Sequence, residues 1–143
     1  MKVFCDTSVL VAAVDAHHIH HGPSLRIVRA LSSREGNCSL HSIAECYSTL
    51  TGAPRSGGRF PPSIVLTTLR DLLKVFTPQA LTAVEYLKVV EECTSRGLSG
   101  GIIYDALIFA CAQKVGADVL FTWNVDDFRR VATPEWVRRI QAP

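Results

Sequence analysis

The chain has 143 residues, of which 48% are hydrophobic and 20% are charged, and its formal net charge is +2. This length and balance predict one globular domain over residues 1–143 with a sizeable core, and they exclude an intrinsically disordered chain. The charge is only mildly basic, so it neither requires nor excludes a nucleic-acid partner.

Cysteine usage and hydropathy indicate the compartment. The five cysteines form no C-x-x-C pair, which is typical of small buried hydrophobic residues in a reducing environment. The N-terminus enters an apolar segment without a signal-peptide pattern, and no apolar run reaches membrane-spanning length. We therefore expect a cytoplasmic protein with no membrane partner.

Short apolar runs alternate with segments of helical periodicity along the chain. The pattern predicts strands at residues 3–5, 38–40, 74–76 and 119–122. It predicts helices at residues 9–14, from Pro23, from Ser42, at 63–73, from Thr77-Pro78 to near Arg96, and around Asp105. The proline- and glycine-rich residues 52–62 are predicted to form a mobile loop. This alternation favours an α/β fold, a three-layer α/β/α sandwich around a central, mainly parallel sheet.

Acidic residues occupy four places in which a soluble protein rarely puts charge. Asp105 is the most informative, because it is the only charged residue between Arg96 and Lys114. A buried, unpaired carboxylate is unfavourable, so it should titrate or find a cation, and carboxylates favour hard ions such as Mg²⁺ or Mn²⁺. The four places are Asp6 after the first strand, Glu45, Asp105, and the pair Asp126 and Asp127 behind the last strand.

The predicted topology gives these acids a reason to meet. In a parallel sheet, ligands bind at the carboxyl ends of the strands. Asp6 follows the first strand, and the residues after Thr122 follow the last one. Glu45 and Asp105 lie in the first turns of their predicted helices, whose N-terminal ends would point to the same edge.

Each acid also has a structural alternative. Asp6 could only cap a helix, and Asp105 could only complement a helix dipole. Glu45 could close a capping box with Ser42. Asp126 or Asp127 could be an ordinary turn residue, and the hydroxyls of Thr7 and Thr122 could serve either structure or a ligand. The acids taken together are therefore a more specific signal of a metal site than any one of them alone.

The ordered set resembles the PIN-domain family of metal-dependent nucleases. The matching segments are Phe4-Cys-Asp-Thr-Ser8, Glu45, Tyr104-Asp-Ala-Leu-Ile108 and Phe121-Thr-Trp-Asn-Val-Asp-Asp-Phe128. Size and order agree from Val3 to about Ile140. Within the family, the compact form looks most like the ribonuclease toxin of VapBC-type toxin–antitoxin pairs.

The resemblance implies a Mg²⁺ or Mn²⁺ site whose acids are also the catalytic residues. Asp6, Glu45 and Asp105 would be its core, and Asp127 would be the later acid of the last motif. Asn124 stands where family members often place an acid. It could ligate a hard metal through its carbonyl oxygen, but it removes one charge, which leaves open whether one metal or two bind and whether Asn124, Asp126 or Asp127 completes the site.

The resemblance also implies partners: an RNA substrate, a cognate antitoxin protein and a second copy of the chain, for which the helix at residues 63–73 could supply apolar contact surface. Arginines near the C-terminus and in an early helix could hold the RNA backbone, although solvated helix faces explain them equally well. Those arginines are Arg26, Arg29, Arg34, Arg129, Arg130, Arg138 and Arg139.

Three other hypotheses compete with the metal-dependent nuclease. An aspartyl-phosphate enzyme using Asp6 is disfavoured, because Ser8 stands where such phosphatases usually carry a second acid. A catalytically degenerate RNA- or partner-binding module stays open because of Asn124. The histidines of residues 17–21 could bind a transition metal, but a solvated loop explains them better.

Trp123 could stack on a base or border the core.

Overall fold

The computed structural model describes residues 1–52 and 59–143, in which five short strands alternate with seven α-helices. The strands are β1 (Val3–Cys5), β2 (Gly36–Ser39), β3 (Phe76–Gln79), β4 (Val119–Phe121) and β5 (Ile140–Gln141). The helices are α1 (Thr7–Val14), α2 (His21–Ala30), α3 (Leu40–Thr51), α4 (Pro62–Val75), α5 (Ala83–Ser95), α6 (Ile102–Lys114) and α7 (Val125–Val131). A 3-10 helix, Pro134–Arg139, precedes β5.

The strands form one sheet in the order β3-β2-β1-β4-β5, and every pairing in it is parallel. Strand β1 lies at the centre, where Val3 pairs with Gly36 of β2 and with Val119 of β4. Because all strands point the same way, the segments that follow β1, β2 and β4 emerge at one edge. This edge carries the candidate site.

Helices cover both faces of the sheet, which confirms the predicted three-layer α/β/α sandwich. Side chains of β1 alternate between two cores. Val3 and Cys5 join a cluster with residues of α1, α3 and α4, whereas Phe4 joins a cluster with residues of α5, α6 and α7. The central strand is thus buried on both faces, as its uninterrupted apolar sequence predicts.

The third strand and the following helix differ from the prediction. Lys74 and Val75 belong to the last turn of α4, which ends where the Phe76 amide donates to the Leu72 carbonyl. Pro78 lies within β3, which an edge strand tolerates. Helix α5 begins later, at Ala83, where Thr82 and Glu85 form a capping box.

The last strand was not predicted, because β5 contains only two residues. It pairs with β4, and the Thr122 amide donates a hydrogen bond to the Gln141 carbonyl at 2.9 Å. Arg34 also differs from the expectation, since it follows α2 instead of lying in it and has a φ of 57°.

Several other expectations concern burial. All five cysteines are free and buried, as predicted. None of the helices in the described ranges combines the length and apolarity needed to cross a membrane. The predicted mobile loop at residues 52–62 lies largely outside the described residues.

Candidate active site

Asp6 leaves the central strand and caps the next helix. Its carboxylate Oδ2 accepts hydrogen bonds from the Ser8 amide at 3.2 Å, the Ser8 hydroxyl at 2.7 Å and the Thr122 hydroxyl at 3.0 Å. The side chain is only 2% exposed. Burial raises the pKa of Asp6, and the hydrogen bonds from Ser8 and Thr122 offset part of that shift. The predicted cap is therefore real, and it holds a carboxylate at the edge of the sheet.

Glu45 does not close the capping box that its sequence allows. Helix α3 begins at Leu40, and its N-cap is Ser39, whose hydroxyl accepts from the Ser42 amide at 2.9 Å. Ser42 is therefore inside the helix, and the capping-box alternative is wrong. Glu45 Oε1 instead accepts a hydrogen bond from the Thr7 hydroxyl at 2.9 Å.

A chain of hydroxyl groups connects the start of α3 to Glu45. Ser39 Oγ lies 2.8 Å from Ser42 Oγ, which lies 2.9 Å from Thr7 Oγ1. Ser39 and Ser42 are buried, so the chain has few alternative partners in water. The same serine that caps α3 thus positions the threonine that contacts Glu45.

Asp105 lies in the first turn of α6 and is partly buried. Desolvation is the main cause that raises its pKa from 3.8 to about 7, and the negative charges of Asp6, Asp127 and Glu45 add to the shift. Arg130 opposes the shift as the weakest of these influences. The electrostatics therefore place all four predicted acids in one neighbourhood, where they repel one another.

These side chains meet in an open cleft of about 460 Å³ at the carboxyl edge of the sheet. It brings together Asp6, Glu45, Asp105 and Asn124. The other residues that line it are Thr7, Ser8, Val11, His18, Ile19, His20, Thr49, Ile108 and Trp123.

The polar residues of the last motif, residues 121–128, contribute unequally to the cleft. The backbone amide of Asn124 donates a hydrogen bond to Thr122 Oγ1 at 3.0 Å, and the exposed side chain of Asn124 lines the cleft. Asp127 is exposed, lies 3.6 Å from Arg130 and raises the pKa of Asp105 without lining the cleft. Asp126 is exposed and also lies outside the lining. The side chain that completes the site stays a prediction.

Ser8, His18 and His20 line the cleft but are not among the predicted catalytic or metal-binding residues. Ser8 holds Asp6 through its hydroxyl, and a serine two residues after a helix-capping aspartate is a signal that could have indicated this. His18 and His20 line the cleft, although residues 17–21 were predicted as a solvated loop. No local pattern could have placed His20 there, because Trp123, on which its ring stacks, lies far away in the sequence.

The donor set fits a hard divalent cation. Carboxylate and amide side chains line one cleft, and desolvation together with the negative charges of the neighbouring acids raises the pKa of Asp105, a cost that a bound cation would relieve. Within the described ranges, no three His, Cys, Asp or Glu side chains form a closed ligand set. Mg²⁺ does not need one, because it keeps several waters and commonly binds through one or two carboxylates.

Several arginines near the C-terminus serve the fold. Arg139 Nη1 donates to the Ala117 carbonyl at 3.1 Å, and its guanidinium lies over the Trp136 ring. Arg129 Nη2 lies 3.5 Å from the Ile140 carbonyl. These three contacts support the structural explanation over an RNA-binding one for Arg129 and Arg139.

Comparison with known proteins agrees with this fold. A model of the PIN domain matches residues 3–134. Ribonuclease VapC40 of Mycobacterium tuberculosis, from strains CDC 1551 / Oshkosh and H37Rv, is 35% identical over 133 residues, which cover 93% of this chain and 92% of the relative. The chain belongs to the PIN-domain family.

Two solved structures share the fold at low identity. The crystal structure of Mycobacterium tuberculosis VapC20, a sarcin-ricin loop cleaving toxin, superposes with a TM-score of 0.72 at 20% identity, covering 92% of this chain and 97% of the other. VapBC2 from Rickettsia felis, bound to a DNA fragment from its promoter, gives a TM-score of 0.65 at 19% identity, with coverages of 99% and 98%.

Proposed function

We propose that this protein is a Mg²⁺- or Mn²⁺-dependent endoribonuclease and the toxin of a toxin–antitoxin pair. One observation carries the proposal: Asp6, Glu45 and Asp105 line one cleft at the carboxyl edge of the sheet in a chain of the PIN-domain family. The relative named Ribonuclease VapC40 supports RNA as the substrate, because the similarity extends over almost the whole of both chains.

Asp6 and Asp105 would hold the metal, with Asn124, Asp127 or both as further ligands. A bound divalent cation supplies charge neutralisation at the scissile phosphate and lowers the pKa of a coordinated water. Hydrogen bonds from Ser8 and Thr122 to Oδ2 fix the orientation of Asp6.

Glu45 would orient the attacking water and accept its proton. Its carboxylate is held by Thr7 and remains partly exposed, so a water in the cleft can reach it. A positioned general base of this kind typically contributes about 10²- to 10⁴-fold to the rate.

The metal site is tested by titration of the purified protein with Mg²⁺ and Mn²⁺ in a calorimeter. Asp6→Asn and Asp105→Asn should remove binding while the chain stays folded. Asparagine is also a good N-cap, so Asp6→Asn keeps the helix start intact. Unchanged affinity in both variants would refute the assignment of these two residues as ligands.

RNA cleavage is tested by incubating total bacterial RNA with the protein and sequencing the new 5′ ends. Wild-type protein with Mg²⁺ should produce a few discrete cuts, and chelation or Asp105→Asn should abolish them. A second candidate, the degenerate binding module, is favoured by Asn124 at a position where family members often carry an acid. RNA binding without any cut would select that alternative.

We further propose three attributes that belong to this function. The protein would act in the cytoplasm, be silenced by a small antitoxin protein, and form a homodimer. Helix α4 leaves Ile64 and Leu66 exposed, at 54% and 47%, and offers apolar surface for such a contact. Light scattering at several concentrations measures the oligomeric state, and a monomer throughout would contradict the dimer.

A further inference from the structure

Two histidine rings lie parallel to aromatic rings beside the acidic cleft. His20 and Trp123, which we call the Trp123 stack, have ring centroids 3.7 Å apart and planes within 7°. His41 and Tyr104, the Tyr104 stack, have centroids 5.5 Å apart and planes within 3°. Both geometries are those of stacked aromatic rings.

The two stacks lie on opposite sides of Asp6. Along the carboxyl edge of the sheet, β1 lies between β2 and β4. His41 follows β2 by two residues, and Trp123 follows β4 by two residues. His41 Nε2 lies 3.6 Å from Glu45 Oε1, so the second stack also borders the acids. A strand of nucleic acid whose phosphate lies at the acids would therefore extend toward one stack in each direction.

Hydrogen bonds to neighbouring residues hold the Trp123 stack in place. Trp123 Nε1 donates to Ser24 Oγ at 2.8 Å, and Ser24 is fully buried. The Trp123 amide donates to Ser8 Oγ at 3.0 Å, and this same hydroxyl holds Asp6. The His20 amide donates to His18 Nδ1 at 3.1 Å, which holds the loop in place. The wall of the cleft is thus preorganised relative to the candidate metal ligand.

The Tyr104 stack is open to solvent. Tyr104 is 51% exposed, and the His41 side chain is 40% exposed. Burial in the core therefore does not explain why these two rings lie parallel next to Glu45 and Asp105. Exposed aromatic faces beside a phosphodiester site are suited to nucleobases, since every base has a π-face that stacks on such rings.

We propose that the Trp123 stack and the Tyr104 stack hold the two nucleobases that flank the scissile phosphate. Bases inside a duplex already stack on their neighbours and cannot reach these rings, so the preferred substrate would be RNA that is unpaired at the cut. This inference rests on the proposed ribonuclease function. It adds the residues that select the substrate: His20, Trp123, His41 and Tyr104.

Binding measurements can separate stacking from charge. The probes are fluorescein-labelled oligoadenylate and oligouridylate of about ten nucleotides, a length that covers one groove. A fully paired RNA duplex of the same length is the third probe. Measurements use the Asp6→Asn protein, so that cleavage does not interfere, and fluorescence anisotropy gives Kd.

Each stack is removed as a unit, because a base could otherwise reach the ring beneath a deleted histidine. Both His20→Ala with Trp123→Leu and His41→Ala with Tyr104→Leu should weaken oligoadenylate binding by about tenfold or more. Oligoadenylate should bind more tightly than oligouridylate, since adenine offers the larger face, and each double variant should reduce this ratio. Duplex binding should not change.

Two controls make the result specific. His20→Phe and His41→Phe keep the aromatic face without the charge or the ring N–H, so both should retain most of the affinity for oligoadenylate. His17→Ala with Tyr47→Leu removes an exposed histidine and an exposed tyrosine outside the cleft, and should change nothing. Thermal melting of every variant checks folding, and the exposed Tyr104 stack keeps the test valid if Trp123→Leu is unstable.

Several outcomes would overturn the proposal. Unchanged oligoadenylate binding in both double variants would do so, as would phenylalanine variants as weak as the alanine ones, which would indicate charge contacts. Failure of the wild-type protein to cut any RNA, with the binding pattern intact, would refute the ribonuclease but not the stacks. Normal cutting by the double variants at unchanged sites would refute the stacks alone.

Discussion

Desolvation and three neighbouring negative charges act together on Asp105 and raise its pKa. Its pKa in the folded protein is about 7, compared with an ordinary value of 3.8. Between those two values the folded protein keeps a proton that the unfolded chain has lost. The contribution of Asp105 to stability without metal should therefore fall as pH rises from about 4 to about 7.

Asp105→Asn should remove much of that pH dependence when a chelator is present. At pH 8 the variant should be more stable than wild type by about 1–2 kcal/mol, a figure reduced from the full shift because the group is partly exposed. At pH 5 the two should melt alike, since Asp105 is then protonated. Thermal melting across this range measures the effect. The exposed Asp71→Asn serves as control, and a wild type that gains stability toward pH 8 would contradict the argument.

Glu45 separates a catalytic role from a structural one, because it caps nothing in α3. Glu45→Gln keeps the size of the side chain and a hydrogen-bond acceptor for Thr7. Cleavage should fall by about 10²-fold or more, whereas the melting temperature should barely move. Rates and melting are compared with Glu91→Gln, an exposed glutamate on α5. Full activity in Glu45→Gln would return this residue to a structural role.

Helix α3 and helix α5 have similar starts but different connections to the site. Ser39 caps α3 and continues through Ser42 and Thr7 to Glu45, whereas Thr82 caps α5 in a closed capping box with Glu85. Ser39 and Thr82 can therefore be compared as two N-caps, of which only Ser39 is connected to Glu45.

Thr82→Ala should cost about 1 kcal/mol of stability, the usual effect of losing an N-cap. Ser39→Ala should cost at least as much, because it also removes a partner from the buried Ser42 hydroxyl. Only Ser39→Ala should also reduce cleavage, because it removes the first hydroxyl of the chain that holds Thr7. Denaturant unfolding and the cleavage rate are measured for both. Equal activity in the two variants would show that Thr7 positions Glu45 without help from Ser39.

The proposed toxin activity predicts that expression of this protein in bacteria without an antitoxin arrests growth. RNA cleavage would stop translation, so Asp6→Ala or Asp105→Ala should relieve the arrest, and co-expression of the cognate antitoxin should do the same. Growth curves and RNA 5′ ends after induction measure both effects. Arrest that persists when both aspartates are removed would instead indicate aggregation or sequestration of a partner.

Much of the fold could be predicted from local sequence. The runs at β1 and β4 are apolar without interruption, as strands buried on both faces must be, and the glycine turn before α6 marks its start. The start of α5 was misplaced, because Pro78 resembles a helix N-terminus and yet lies in an edge strand. Strand β5 has only two residues, which is too short for a detectable sequence pattern. It is a strand because it pairs with β4.

The acids themselves could also be found from the sequence, because charge in an apolar segment is costly and needs a reason. Their grouping followed from topology, since parallel strands end at one edge. Which partner each acid has depended on the tertiary structure: Thr7 holds Glu45 from 38 residues away, and Thr122 holds Asp6 from 116 residues away. The stacking of the His20 ring on Trp123 also depends on the tertiary structure. Hydropathy and spacing report on a residue and its near neighbours, whereas hydrogen bonds and ring stacking depend on positions that only the packed sheet and helices bring together.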